Sequence, residues 1–209
     1  MTLSHLAAVR VNDPMDRDLE LRLVGGLRAG DPAAFDVVYD AFAARLYSFL
    51  ARLSNSRDVA EDLTEETWLR LVAHAQRLQP DTRLGPWLFT VARHLHASYR
   101  RSRLLEDSHA PSLLGLWPSG APTPSPLQAA EASETQRRIT TALASLPFLY
   151  REALLLVAVE GLDSREAADV CGITPEAMRQ RVSRGRALLA RGLSDRQERA
   201  LRALREVTS

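Results

Sequence analysis

The chain has 209 residues, of which 45% are hydrophobic and only 6% aromatic, and a formal charge of +1. That length allows one ordinary domain or two small ones. Its single cysteine, Cys171, excludes an internal disulfide and a multi-cysteine zinc site. No apolar run reaches the ~18 residues of a membrane span, and Met1 to Asp18 lack the core of a signal peptide. A soluble, cytoplasmic protein with no membrane insertion of its own is therefore expected. Leu and Ala dominate the apolar set and β-branched residues are scarce, which favours an all-α fold. All 27 basic residues are arginine. Guanidinium forks suit phosphates and guanine edges, so the clustering of these arginines, rather than their number, bears on nucleic acid.

Residues 1–17 read as an N-terminal extension. From Asp18 to Ala29, Leu19, Leu23, Val24 and Leu27 recur at helical spacing, stopped by Gly30-Asp31-Pro32. Asp31 is placed to cap the next helix, with Pro32 at its first position. That helix carries Phe35, Val38, Tyr39, Phe42, Leu46, Phe49, Leu50 and Leu53 on one broad face, and Ser54-Asn55-Ser56 breaks it. A third helix is expected from about Arg57 to Leu78. Its first turns hold Asp58, Glu61, Asp62, Glu65 and Glu66. Acids at a helix N-terminus are stabilised by the macrodipole, which gives the first of them a structural reason. The face also repels DNA and suits a basic protein partner, so both readings stand. A fourth helix, from about Pro86 to Arg103, has Trp87, Val91, Leu95 and Tyr99 in an i, i+4 row. Arg93, His96, Arg100, Arg101 and Arg103 lie off that row or at its end. Residues 18–103 thus form a first helical unit.

Residues 104–132 read as a linker. Pro111, Pro118, Pro122, Pro124 and Pro126 prevent a continuous helix. Leu113, Leu114, Leu116 and Trp117 are apolar for a free tether and suggest docking, on the chain itself or on a partner. A second unit covers residues 133–194. It begins with a helix from Ser133 to Ala144, and Leu146-Pro147 opens another that carries Ala153, Leu154, Leu156 and Val157 up to Gly161. Ser164 is read as the N-cap of a short helix, Arg165 to Cys171. Gly172-Ile173-Thr174 then turns into a helix from Pro175 to about Arg191. A short helix, a glycine turn and a longer basic helix make a helix-turn-helix. Residues 195–209 alternate Arg and Glu and read as a solvated helix end.

The last helix carries the sharpest chemistry. Ala177 to Arg191 contains Arg179, Arg181, Arg184, Arg186 and Arg191 and no acid, while Met178, Val182, Leu188 and Leu189 can face a core. Arg179, Gln180, Ser183 and Arg184 sit where a recognition helix meets base edges. Arg matches guanine and Gln matches adenine, and Arg181 and Arg186 suit phosphates. Catalysis finds little support. His94 and His96 are two apart on a helix, a poor chelating pair, and each reads as a surface or phosphate-contacting side chain. Cys171 reads as a small buried hydrophobe. There is no phosphate-binding glycine loop or nucleophile elbow, so no catalytic residue, metal or cofactor is expected. A nuclease built on Asp58, Glu61, Asp62 and Glu65 lacks histidines or a second acidic motif to complete a site.

Three segments carry a family resemblance. Arg57-Asp58-Val59-Ala60-Glu61-Asp62-Leu63-Thr64-Glu65-Glu66-Thr67-Trp68 resembles the D-A-E-D-L-x-Q-E-T-F stretch of region 2.2 of sigma factors. Pro86-Trp87-Leu88-Phe89-Thr90-Val91-Ala92-Arg93-His94-Leu95 resembles the A-W-L-F-x-I-A-R-N-L of regions 2.3 and 2.4. Leu146-Pro147, Glu160-Gly161-Leu162, Glu166-Ala167-Ala168, Gly172-Ile173 and Met178 to Arg186 follow the pattern of region 4. The resemblance covers most of residues 18–193 and, lacking a third globular domain, points to the extracytoplasmic-function group.

The resemblance implies an alternative sigma factor that lends promoter recognition to core RNA polymerase. Asp58, Glu61, Asp62, Glu65 and Glu66 would bind the clamp helices of the largest polymerase subunit, and the second unit would meet the β flap. Arg83, Trp87, Arg93, His94, Arg100 and Arg101 would serve the −10 element as single strand. Arg179, Gln180, Arg181, Ser183, Arg184 and Arg186 would serve the −35 element as duplex. The linker would thread towards the polymerase cleft, and an anti-sigma factor held between the two units is the implied regulator. The chain departs from the family pattern at His94, where Asn is usual, at Ser98, where Asp is usual, and at Gly85-Pro86. The alternative to this reading is a stand-alone helix-turn-helix regulator binding duplex DNA by its last helix.

Overall fold

The computed structural model describes residues 15–109 and 134–207, and the described residues contain helices and turns without a strand. The prolines at 111–126 and the apolar group Leu113 to Trp117 lie outside the described residues, as does most of the N-terminal extension.

Four helices make the first unit: α1 (Arg17–Ala29), α2 (Pro32–Ser54), α3 (Arg57–His74) and α4 (Leu84–His109). The first three begin at a polar residue that satisfies an orphan backbone N–H. Asp16 accepts from Leu19 N at 3.1 Å, Asp31 from Ala33 N at 3.0 Å, and Ser56 from Val59 N at 3.4 Å. The start of α4 is capped from a distance. Glu20 of α1 is buried, and its Oε1 accepts the Leu84 N–H at 2.7 Å. This long-range cap starts α4 two residues before Pro86, which a proline in the first turn permits. The third helix stops at His74 and tightens into a 3₁₀ turn, Ala75–Arg77, short of the expected Leu78. The fourth runs on past Arg103 to His109. Val38, Phe42, Leu46, Phe49, Leu50 and Leu53 of α2 form the centre of the core. Phe49 meets Phe89 edge-on, with centroids 5.2 Å apart. Close approach fixes one residue here: a Cβ on Gly26 would lie 2.6 Å from the Ala34 Cβ, so only glycine lets α1 and α2 pack.

The second unit contains α5 (Glu134–Ala144), α6 (Phe148–Leu154), which continues as a π-helical turn over Leu155–Val159, α7 (Ser164–Cys171) and α8 (Pro175–Val207). The N-cap of α7 is Asp163 rather than Ser164. Asp163 Oδ1 accepts from Arg165 N and Glu166 N at 2.8 Å each, and Glu166 Oε2 accepts from Asp163 N at 3.1 Å. The carboxylate wins over the neighbouring hydroxyl because it takes two N–H groups and its charge suits the positive helix end. Gly172 ends α7 in the left-handed conformation at φ 65°. Leu154, Leu155, Leu156, Ala167, Ala168, Val170, Met178 and Val182 are buried between these helices. Gly185 lets α8 seat on α6, since a Cβ there would lie 3.1 Å from Leu154 Cγ and 3.3 Å from the Tyr150 carbonyl. The last helix continues well past Arg191, to Val207.

The two units pack along a seam between α2 and α4 on one side and α6 and α7 on the other. Arg93 Nε donates to Glu152 Oε1 at 2.8 Å, Arg45 Nε to Glu160 Oε2 at 3.1 Å, and Arg83 Nη2 to Glu166 Oε1 at 3.0 Å. Phe148 stacks on His96 with centroids 5.7 Å apart, and the Arg100 guanidinium lies 4.6 Å from the same ring. Arg151 reaches the Leu53 carbonyl at 3.4 Å, placing a cation at the C-terminus of α2.

Candidate functional site

Three surfaces carry the residues that the sequence singles out. The first is the outer face of α8. Met178 and Val182 are buried, which turns Arg179, Gln180, Ser183, Arg184 and Arg186 outward to solvent, and Arg181 is half-buried on the flank. Thr174 Oγ1 accepts from Ala177 N at 3.2 Å and fixes the N-terminus of the helix. Arg179 pairs with Glu176 at 2.6 Å, both groups being largely exposed, so water and salt screen that pair and leave it exchangeable. This geometry presents three arginines, a glutamine and a serine on one outward face, the arrangement that base-edge contact in a major groove uses.

The second surface is α3, and here the structure adds what the sequence reading missed. Asp58, Glu61, Asp62 and Glu65 are exposed, and Glu66 is half-exposed and bonded to Arg70 at 2.7 Å. Glu61 and Glu65 stand at the edge of an open groove of about 590 Å³ between α2 and α3. Its lining includes Tyr39, Tyr47, Trp68, Leu69 and Val72. Phe35 and Tyr39 hold the Trp68 ring at centroid distances of 5.9 and 4.9 Å. Leu69 and Val72 are 57% and 60% exposed. Exposed apolar side chains in a groove are chemistry that suits protein docking, and carboxylates beside them suit a basic partner. Asp58 and Asp62 are on the same helix without lining the groove. A signal was present in the sequence: Leu69 and Val72 fall off the stripe that buries Ala60, Thr67 and Leu71, where a solvated helix would carry polar residues.

The third surface is the basic side of α4, and the structure divides it. His94 and Arg101 are exposed, with Arg101 donating to Ser98 Oγ at 3.0 Å. Trp87 is partly buried against the core. Arg83 bridges Glu20 at 2.9 Å and Glu166, Arg93 holds Glu152, and Arg100 lies over Phe148, so all three enter the seam. His96 is not the surface side chain expected. It is 2% exposed, with its Nδ1 lacking a hydrogen-bond partner. Burial, then the charges of Arg100, Arg151 and Arg93, push its pKa down to about 4, so the ring is neutral at pH 7. Cys171 is buried as expected and donates to Glu152 Oε2 at 3.5 Å. Burial and the Glu152 carboxylate push its thiol up to about 12, leaving no thiolate for nucleophilic chemistry. Among the described residues, no three His, Cys, Asp or Glu side chains gather as metal ligands.

Comparisons with known proteins show which family the chain resembles. Residues 38–104 match the family described as Sigma-70 region 2, and residues 136–189 match Sigma-70, region 4. ECF RNA polymerase sigma factor EcfG of Rhodopseudomonas palustris (strain TIE-1) is 37% identical over 150 residues, 69% of this chain and 77% of that protein. RNA polymerase sigma factor CarQ of Myxococcus xanthus is 34% identical over 161 residues, 76% of this chain and 88% of that protein. Among solved structures, the sigma factor RpoE in complex with the anti-sigma factor NepR, from Bartonella quintana, aligns with a TM-score of 0.67 at 28% identity. It covers 77% of this chain and 96% of that one. CnrH, solved with the cytosolic domain of CnrY, shares the fold at a TM-score of 0.65 and 20% identity.

Proposed function

Because the chain belongs to the sigma-70 family, in its extracytoplasmic-function group, we propose how its surfaces divide the work of that family. As a sigma factor it binds core RNA polymerase and directs promoter-specific initiation, acting as a regulatory subunit and not as an enzyme. In our reading, residues 18–103 are the polymerase-binding and −10 unit, 133–194 the −35 unit, and 104–132 the tether between them.

The observation that carries this reading is the opposite chemistry of α3 and α8. The apolar groove beside Glu61 and Glu65 takes the clamp helices of the largest polymerase subunit, because its acidic edge repels DNA and attracts basic helices. Leu69, Val72 and Tyr39 supply the apolar anchor there, with Asp58, Asp62 and Glu66 extending the field. Arg179, Gln180, Ser183, Arg184 and Arg186 of α8 read the −35 duplex, with Arg181 on the adjacent backbone. Arg83, just ahead of α4, and Trp87, Arg93, His94, Arg100 and Arg101 of α4 serve the −10 strand. An anti-sigma factor is a further partner we assign to this chain, supported by RpoE having been solved with NepR. No helix among the described residues is long and apolar enough to cross a membrane. We place the protein in the cytoplasm, with its polymerase.

Gel filtration with core RNA polymerase tests the assignment. Wild type should co-elute, and Glu61→Arg/Asp62→Arg or Leu69→Asp should abolish co-elution while keeping native helicity by circular dichroism. Undiminished co-elution of both variants would move the polymerase contact off α3. Tight duplex binding by a wild-type chain that never joins polymerase would favour a stand-alone regulator.

A further inference from the structure

A buried carboxylate in α1 grips the loop that leads into α4. Between the 3₁₀ turn and Leu84 the chain runs Leu78-Gln79-Pro80-Asp81-Thr82-Arg83, with Leu78 buried at one end and Leu84 at the other. Gln79, Pro80, Asp81 and Arg83 are exposed between them. Thr82 N donates to the Gln79 carbonyl at 3.0 Å, which closes a turn with proline at its second position. Arg83, next before the helix, has no side-chain acceptor to offer its first N–H groups. Glu20 supplies one from α1. Its Oε1 accepts from Leu84 N at 2.7 Å, and its Oε2 accepts from Arg83 Nε at 2.9 Å and from Arg17 Nη1 at 2.6 Å. Arg17 in turn donates through Nη2 to the Asp81 carbonyl at 2.7 Å. Two residues of one helix thus hold the loop at its turn, at its last side chain and at the first N–H of α4.

We propose that Glu20 and Arg17 are positioning residues for −10 recognition: they fix residues 79–83 and the first turn of α4 in the conformation that presents Arg83 and Trp87 to the DNA strand. This rests on the −10 assignment made above and extends it to α1, which lies ahead of the residues matched to region 2. Trp87 N donates to the Arg83 carbonyl at 3.0 Å, so the backbone that Glu20 anchors also sets the turn that carries Trp87. The Arg83 side chain stays 47% exposed while its Nε is held. Glu20 is 3% exposed and acts only through its partners. Desolvation offsets much of the attraction in a buried ion pair, so the directional bonds contribute geometry more than net stability. A loop and a long side chain fixed beforehand lose less freedom when they meet a ligand. Arg83 Nη2 also reaches Glu166, whereas the Glu20 and Arg17 bonds lie wholly within the first unit and do not depend on the second.

The test uses holoenzyme assembled from core RNA polymerase and the full-length chain. It transcribes a barcoded DNA library randomised through both promoter elements, and sequencing the transcripts gives the base preference at each position. Wild type should show a preference at both elements. Glu20→Gln keeps an acceptor for the Leu84 N–H and loses the charge that holds Arg17 and Arg83. It should lower the preference at −10 about tenfold, the weight of one charge-assisted hydrogen bond. The −35 preference, co-elution with core polymerase and helicity should stay as in wild type. Arg17→Ala frees the turn at Asp81 and leaves the Leu84 cap in place, and it should give a smaller loss at the same positions, about threefold. Because the Arg17 side chain is 40% exposed, this second variant carries the test should Glu20→Gln fail to fold.

An undiminished −10 preference in the folded variants would overturn the proposal. So would an equal fall at −10 and −35, which marks a general loss of working holoenzyme rather than a misplaced Arg83 and Trp87. The wild-type protein separates the two levels of inference. Preference at both elements in wild type, with the variants unaffected, leaves the sigma-factor reading standing and removes only the role of α1. A wild-type chain that neither co-elutes with core polymerase nor prefers any sequence removes that reading itself.

Discussion

Two arginine-rich helices, α4 and α8, look alike in sequence and differ in the folded molecule. Both are amphipathic, with an apolar row on one side and guanidinium groups on the other. On α8, Arg179, Arg184 and Arg186 stand in solvent, and the Arg179–Glu176 pair is local and screened. On α4, Arg93 is drawn against a carboxylate 59 residues away, and Arg100 lies on a ring of the other unit. The difference teaches that a basic face is a DNA site only as far as its own fold leaves it free. Accessibility is decided by what packs opposite, and the acids opposite α4 come from distant segments.

The hardest way to break the comparison is at Glu152. Glu152→Ala leaves the Arg93 guanidinium without its carboxylate and opens a void in the second unit. It should cost about 3 kcal/mol of stability in urea unfolding. The matching change on α8, Glu176→Ala, should leave the urea midpoint unchanged, and equal losses at both sites would erase the difference between the two arginine faces.

Acid should act next. His96 has its pKa lowered from 6.5 to about 4, so opening the seam lets it bind a proton that the closed form refuses. The seam's stability is therefore full above pH 6.5 and is lost as pH falls towards 4, by at most about 3 kcal/mol. The groups facing His96 are Arg93 and Arg100 from its own helix and Arg151 and Phe148 from α6. His96→Phe should flatten the dependence, measured as scattering or unfolding midpoint between those pH values. The strip on α8 is built of arginine, glutamine and serine, without histidine or carboxylate, and should keep its duplex affinity.

The smallest effect sharpens the comparison on the DNA side. Arg184→Ala should weaken binding to a −35 duplex by about 1–3 kcal/mol and relax preference at one base pair. Arg93→Ala should leave that duplex binding unchanged in the free chain while lowering the unfolding midpoint. The reverse pattern would mean that α4, not α8, is the free face.

Much of this was readable in the chain because it is local. Asp31-Pro32, Asn55 and Gly172 are punctuation that acts within four residues, and the structure places a cap, a left-handed stop and a turn at those positions. Adjacent alternatives were harder, as at Asp163 and Ser164, either of which is an acceptable N-cap until backbone geometry selects one. That Arg179, Gln180, Ser183 and Arg184 of α8 face outward was legible because Met178 and Val182 define the buried side by spacing alone. Glu20, Glu152 and Glu160 gave no sign of burial, since a glutamate goes inside only when a cation from elsewhere meets it. The groove beside Trp68 was half-visible, its carboxylates conspicuous and its exposed apolar residues readable only as exceptions to the α3 stripe.

The sequence by itself determined the all-α class, the order and approximate limits of the helices, the turn before α8 and the opposite charges of α3 and α8. These follow from periodicity, capping and composition, which act over a few residues. Tertiary structure alone decided that α3 borders an apolar groove, that Glu20 caps α4 from another helix, that His96 is neutral and buried, and that acids of one unit hold arginines of the other. Such features depend on which distant surfaces meet, and burial and pairing energies belong to that meeting rather than to either segment.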